Sequence, residues 1–381
     1  MATHGELVEA AVAETGLDDF GDDSFREGLE ILVRALRDEA SLNAAGEGYL
    51  YPRITAYLAQ RLQVEDWYRR HPEIADERVD APLIGLSLPR TGSTALSFLL
   101  AQDPAIRYLH MWESSAPCPP PSTVEGRDPR IPEGWGQGPK IGTRDHVPAD
   151  IEGPFECLDL LALDFKSQMF LAFAKIPSYA DWLLDVDLTS AYRYELRVLK
   201  LLQWGQTTRP WRLKTPMHML YLPYLDAVFP DAKFVVTHRD PTDVMLSVCD
   251  VYADISGTFN DEVDRRYIGE LNVKQWSAAT DRALAFRRAG NDHRFYDIDF
   301  RTMQADPIGE VRGLYDWLGE PVSDEFETRM QQWWKSNAEN REPAPARDPA
   351  DFGLDLDAIR PRFAEWVAAS ARWTDHHRTT G

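Results

Sequence analysis

Two short segments carry the residue types that hold phosphate. The first, Leu88-Pro89-Arg90-Thr91-Gly92-Ser93-Thr94, follows the apolar run APLIGLSL and precedes an apolar stripe at Leu96, Leu99 and Leu100, so it reads as a tight loop between a buried strand and a helix. A loop in that position aims unpaired backbone N–H groups and the positive end of a helix dipole at whatever anion sits there. Gly92 permits close backbone approach, Ser93 and Thr94 add hydroxyl donors, and Arg90 adds a permanent forked cation. The second segment, Thr237-His238-Arg239-Asp240-Pro241-Thr242-Asp243, leaves another apolar run and enters a helix. Arg239 stands at its strand end, and Ser247, eight residues on, lies about two helical turns further. The chemistry offered by each is that of an anion cradle.

The first loop is not the phosphate loop of nucleoside triphosphatases. That pattern, GxxxxGK[ST], places a lysine directly after its last glycine and a metal-binding hydroxyl after the lysine. Here Ser93 follows Gly92, the loop contains no lysine, and Gly85 is too far from Gly92. The loop therefore reads as a phosphate site built without a bound metal. A further cation, Lys214 in Leu213-Lys214-Thr215-Pro216, ends another short apolar run.

Taken together in this order and spacing, residues 81 to 320 resemble a bacterial member of the family of sulfotransferases that use 3′-phosphoadenosine 5′-phosphosulfate (PAPS). The resemblance implies that Arg90, Thr91, Gly92, Ser93 and Thr94 form the 5′-phosphosulfate loop, and that Arg239 and Ser247, with the intact Arg-Asp-Pro, form the 3′-phosphate motif. It implies that Lys214 stands beside the leaving bridging oxygen, and that Asp306-Pro307 opens a structural helix after a late strand. It also implies a P-loop-like α/β core, PAPS as co-substrate, no metal, and a hydroxyl-bearing small molecule as acceptor. The base is left open by the resemblance. Glu113, 23 residues beyond Arg90, is the first candidate, Glu156 the second, and His146 a distant third. A nucleotide or small-molecule kinase, and a non-catalytic nucleotide-binding protein, stand as the alternatives.

The elements that must position these residues follow from periodicity. Residues 5 to 75 show helical spacing, as in Phe25, Leu29, Leu32 and Leu36, and predict a helical N-terminal cap over residues 1–80. From 81 to 320, short apolar runs alternate with helical segments: residues 81–88, 107–109, 211–214, 232–238 and HRFYDIDF read as strands. That alternation predicts a central parallel sheet flanked by helices. Residues 114–154 are rich in Pro and Gly and read as a lid-like surface excursion, with helical spacing resuming from Phe155 to Phe173 and Glu156 opening the helix. Residues 321–381 read as a helical C-terminal extension.

Composition narrows the partners. The chain has 381 residues and a formal charge of −21, so nucleic acid and anionic membrane surfaces are disfavoured unless a local basic patch intervenes. Cys118, Cys157 and Cys249 lack the spacing of a zinc site or a disulfide framework, which fits a reducing cytoplasm. The N-terminus shows no secretory signal and no stretch reaches the length of a membrane span. The aromatic, apolar segments outside the strands predict a partly apolar acceptor. Neither the oligomeric state nor the acceptor's identity is legible.

Overall fold

A computed structural model of the chain describes residues 2–131, 150–339 and 347–379. Its elements in chain order are α1 (His4–Thr15), α2 (Phe25–Asp38), α3 (Ala44–Arg70), β1 (Leu83–Gly85), α4 (Ser93–Leu100), β2 (Arg107–Tyr108), α5 (Met111–Ser115), α6 (Leu158–Ala162), α7 (Phe170–Phe173), α8 (Pro177–Asp185) and α9 (Thr189–Gln203). These are followed by β3 (Trp211–Lys214), α10 (Leu222–Asp226), β4 (Lys233–His238), α11 (Pro241–Phe259), α12 (Arg265–Phe286), β5 (Phe295–Asp299), α13 (Phe300–Ala305), α14 (Pro307–Leu318), α15 (Asp324–Glu339), α16 (Leu356–Ile359) and α17 (Ala364–Thr379). The chain divides into two compact units: Met1–Val79, Leu109–Thr208 and Val251–Asp264 form one, and Asp80–Tyr108, Arg209–Asp250 and Arg265–Gly381 the other.

The second unit holds the sheet. All its pairings are parallel, in the order β2-β3-β1-β4-β5. Because parallel strands are buried on both faces, they must be apolar almost throughout. Leu83-Ile84-Gly85 fits this, while Trp211-Arg212-Leu213-Lys214 is buried at every position although two of its residues are cations. Leu96 and Leu99 of α4 pack with Val235 of β4, Ile298 of β5, Met303 and Leu314 into one core cluster, so the helix leaving the first loop is anchored to β4 and β5. This is the parallel α/β architecture flanked by helices that the sequence pattern predicts.

The first unit is helical. Its core includes Leu29, Leu32 and Leu36 of α2, Ile54, Leu58 and Leu62 of α3, and Tyr192, Val198 and Leu202 of α9. Buried charge is balanced within it: Arg61 donates to the Phe20 carbonyl at 2.8 Å and to Asp164 at 3.2 Å, while Lys166 reaches Asp164 at 2.9 Å. A lone ion there would be strongly disfavoured, which explains why these three meet. Their meeting also breaks the helical spacing expected from Phe155 to Phe173. The segment between α6 and α7 leaves the helix so that Asp164 and Lys166 can turn inward. Glu156 likewise does not open a helix; α6 begins at Leu158 instead. The preceding Phe155 N–H is taken by the Leu109 carbonyl at 2.8 Å, next to an antiparallel bridge between His110 and Pro154, and this holds the backbone extended. Of the Pro/Gly-rich excursion, residues 132–149 lie outside the described residues, His146 among them.

Glu195 of α9 is a buried acid. Desolvation pushes its carboxyl from the ordinary 4.5 up to about 8, with hydrogen bonding from Cys157 opposing the shift. An acid with a raised folded-state pKa favours the folded state fully below the unfolded value, and that advantage is lost as pH rises through the folded value. We therefore expect Glu195→Gln to remove a loss of stability that the parent shows between about pH 4.5 and 8. In chemical denaturation followed across that range, the variant should gain roughly 2–5 kcal/mol on the parent by the upper end.

Candidate active site

β1 is central, with β3 hydrogen-bonded on one side and β4 on the other. The chain leaves β1 toward β2 and leaves β4 toward β5, on opposite sides, so the sheet's switch point falls between β1 and β4. Such a point opens a crevice outside the carboxyl ends of the strands, where open α/β sheets take their ligands. The two phosphate-type segments are the continuations of these two strands. They emerge side by side because Gly85 and Val235 are register partners.

Three buried hydroxyls tie the segments together. The ladder between β1 and β4 ends where the Leu86 N–H reaches the Val235 carbonyl at 3.0 Å. Beyond it the Ser87 side chain replaces the departing backbone and accepts the Thr237 N–H at 2.8 Å. Thr91 donates to the Leu88 carbonyl at 2.9 Å, and its hydroxyl lies 2.7 Å from that of Thr237. Thr91, Ser87 and Thr237 are all buried, so these bonds form where unpaired polar groups would be costly.

The loop's backbone is unusual at two positions. Gly92 has φ +91°, and a Cβ there would lie 2.8 Å from Met303 Cε and 3.1 Å from Phe300 Cδ2. Arg90, which does carry a Cβ, has φ +64°. A left-handed non-glycine residue costs on the order of 1–2 kcal/mol and persists only where its surroundings hold it. Arg239 holds it here, its Nη1 donating to the Arg90 carbonyl at 3.2 Å. Arg90 in turn donates from Nε to Ser247 Oγ at 3.1 Å. Arg90, Arg239 and Ser247, read from two separate motifs, thus share one junction.

Lys214 arrives from the other flank of β1. It is paired in register with Gly85, and its Nζ lies 3.3 Å from Thr94 Oγ1. A Cβ on Gly85 would approach Lys214 Cγ to 3.0 Å, so the glycine lets the lysine stem lie across the central strand toward α4. Three cations, Arg90, Arg239 and Lys214, therefore gather around one helix N-terminus in a protein of net charge −21.

The first unit carries the carboxylates. Glu113 sits in α5, almost wholly buried, with Oε2 accepting the His110 N–H at 3.1 Å. Ser114, the next residue, donates to the Glu156 carbonyl at 3.2 Å, so the segments bearing Glu113 and Glu156 are adjacent. The Ser114 hydroxyl also lies 3.2 Å from Asp159 Oδ2, while Asp159 Oδ1 accepts from Arg53 at 2.5 Å and from Tyr57. Burial raises the Tyr57 phenol well above its usual range, so it remains a donor to that carboxylate. Sequence reading missed this cluster. Arg53 and Asp159 are 106 positions apart, with no spacing signal to join them.

A family model described as the sulfotransferase family matches residues 82–324. The chain belongs to the sulfotransferase family. The crystal structure of sulfotransferase STF9 from Mycobacterium avium superposes with a TM-score of 0.87 at 32% identity, over 97% of each chain. That of sulfotransferase STF1 from Mycobacterium tuberculosis H37Rv gives 0.81 at 32%, over 96% of this chain and 99% of the other. Among curated proteins no sequence matches. The protein is a transferase, and the kinase alternative falls with that membership.

In this sulfotransferase the hydroxyls of Ser87, Thr91 and Thr237 are the least conspicuous part of the crevice, since small polar residues flanking strands are common. Only the β1–β4 pairing makes them a network. We expect Thr237→Val, which keeps the shape and deletes the hydroxyl, to lower unfolding free energy by about 1–3 kcal/mol. Denaturant titration of parent and variant measures this, and an unchanged midpoint would mean the hydroxyl bridge contributes nothing.

Proposed function

We propose that the protein transfers a sulfuryl group from PAPS to the hydroxyl of a partly apolar small molecule, by in-line attack and without a metal ion, in the cytoplasm. The observation that carries this reading is the junction of Arg90, Arg239 and Ser247 at the switch point. Two anion-binding loops on adjacent strands suit one nucleotide phosphorylated at both ends. The three cysteines are free and buried, which supports a reducing compartment. Among the described residues no helix is long and apolar enough to cross a membrane.

In the reaction the acceptor oxygen forms a bond to sulfur as the bond from sulfur to the 5′-phosphate oxygen breaks. Adenosine 3′,5′-bisphosphate leaves with that electron pair. The N–H groups around Gly92, with Ser93 and Thr94, face the leaving phosphate, and Lys214 hydrogen-bonds the bridging oxygen as negative charge grows on it. Arg239 and Ser247 hold the 3′-phosphate, while Arg90, bonded to Ser247, helps to stabilise the charge on the leaving 5′-phosphate. The sulfuryl group carries a single negative charge, so these cations and amides suffice without Mg²⁺. A carboxylate takes the acceptor's proton: Glu113 in the first place, with Glu156 and then His146 behind it.

The test is formation of adenosine 3′,5′-bisphosphate from PAPS with a panel of aryl, sterol and lipid alcohols, in excess chelator. Chelator should leave the rate unchanged, and a strict requirement for added Mg²⁺ would overturn the metal-free mechanism. Glu113→Gln should reduce turnover by roughly 10²- to 10⁴-fold while binding of the bisphosphate persists. Near-normal turnover would move the base to Glu156 or His146.

A further inference from the structure

Phe300 is the first residue of α13 and directly follows β5. Its placement is set by Asp299, whose carboxylate accepts the N–H groups of Arg301 at 2.9 Å and Thr302 at 3.1 Å and so caps the helix. The ring remains only partly buried at the carboxyl end of the sheet, where a phenylalanine gains less from burial than it would in the core. It touches both phosphate loops. The Arg239 guanidinium carbon lies 4.9 Å from the ring centroid, over the ring. Ring atoms Cδ2 and Cε2 stand 3.1 and 3.2 Å from where a Cβ on Gly92 would be.

A single rigid ring thus borders the 5′-side loop and has the 3′-side cation over it. Arg239 is a long side chain that loses rotamer freedom when it is held in one geometry. Three contacts restrict it among the described residues: the Arg90 carbonyl at 3.2 Å, Asp243 at 3.6 Å, and this ring. The carbonyl and the carboxylate compete for donors that a phosphate would otherwise use. The ring does not, because it holds the guanidinium by its π-face and leaves the N–H edge available.

We propose that Phe300 is a positioning residue that sets the preference of this sulfotransferase for nucleotides bearing a 3′-phosphate. It does so by holding Arg239 ready in the ligand-free protein at a fixed distance from the Gly92 loop. The inference rests on the assignment of Arg239 to the 3′-phosphate made above. It predicts a selective effect: replacing the ring weakens the grip on the 3′-phosphate and spares the rest of the nucleotide.

The experiment compares Phe300→Leu, Phe300→Tyr and Arg239→Ala with the parent by calorimetric titration of two ligands, adenosine 3′,5′-bisphosphate and adenosine 5′-monophosphate. Phe300→Leu should weaken the bisphosphate roughly threefold to thirtyfold and leave the monophosphate unchanged. The KM for PAPS should rise by the same factor with kcat retained, and Phe300→Tyr, which keeps the π-face, should stay within about twofold of the parent. Equal losses for both ligands would mean that the ring only supports the loop, and no loss would mean that Arg239 needs no such platform; either overturns the proposal. If Phe300→Leu does not fold, as judged by its thermal transition, Phe300→Met takes its place under the same criteria. Arg239→Ala separates this inference from the one beneath it. Should that variant keep the parent's preference for the bisphosphate, the 3′-phosphate assignment itself fails; should it lose the preference while Phe300→Leu keeps it, only the role of Phe300 falls.

Discussion

The hydrogen bond from the Arg239 guanidinium to the Arg90 carbonyl is the contact on which the candidate site depends. Arg90 occupies a left-handed backbone conformation that a side chain disfavours, and turning its carbonyl toward the neighbouring loop is what that conformation achieves. Arg239 compensates the strain. One guanidinium therefore starts from the second loop and shapes the first, and the two loops are coupled through it.

That coupling is a consequence of strand order. In a sheet ordered β2-β3-β1-β4-β5, the central strand has Lys214 ending one neighbour and Arg239 leaving the other. Each cation reaches the β1 loop over a single interstrand spacing of about 5 Å, which is within the length of a lysine or arginine side chain. Glycine is used where the approach is closest. Gly85 lets the lysine stem cross β1, and Gly92 leaves room for Phe300 and Met303 beneath the loop. The mean charge of the chain is strongly acidic, yet this edge is cationic, because local placement rather than net charge governs what an anion meets at short range.

The first unit uses buried charge differently. Asp164 is shared by Arg61 and Lys166, and Asp159 by Arg53, Tyr57 and Ser114, so that these two buried carboxylates are each matched by several donors. Such networks contribute little net stability compared with apolar packing, but removing one member leaves an uncompensated charge. They fix geometry. The segments carrying Glu113 and Glu156 are joined through Ser114, which confines both candidate bases to one neighbourhood of that unit.

The amino-acid sequence alone determined the parallel sheet, because fully buried strands must be apolar runs and the helices between them must be amphipathic. It also picked out two segments with the residue types of an anion cradle, Arg90 to Thr94 and Arg239 to Ser247, because each is local in the chain and a strand-loop-helix presents its N–H groups to an anion wherever it occurs. Tertiary structure decided what no local pattern encodes. The left-handed Arg90, the hydroxyl bridge of Ser87, Thr91 and Thr237, the ring of Phe300 against both loops, and the Asp159 cluster all join residues far apart in sequence. The helix expected from Phe155 failed for the same reason: burying Asp164 beside Arg61 outweighs the local preference for a continuous helix, and that competition exists only once the distant partner is in place.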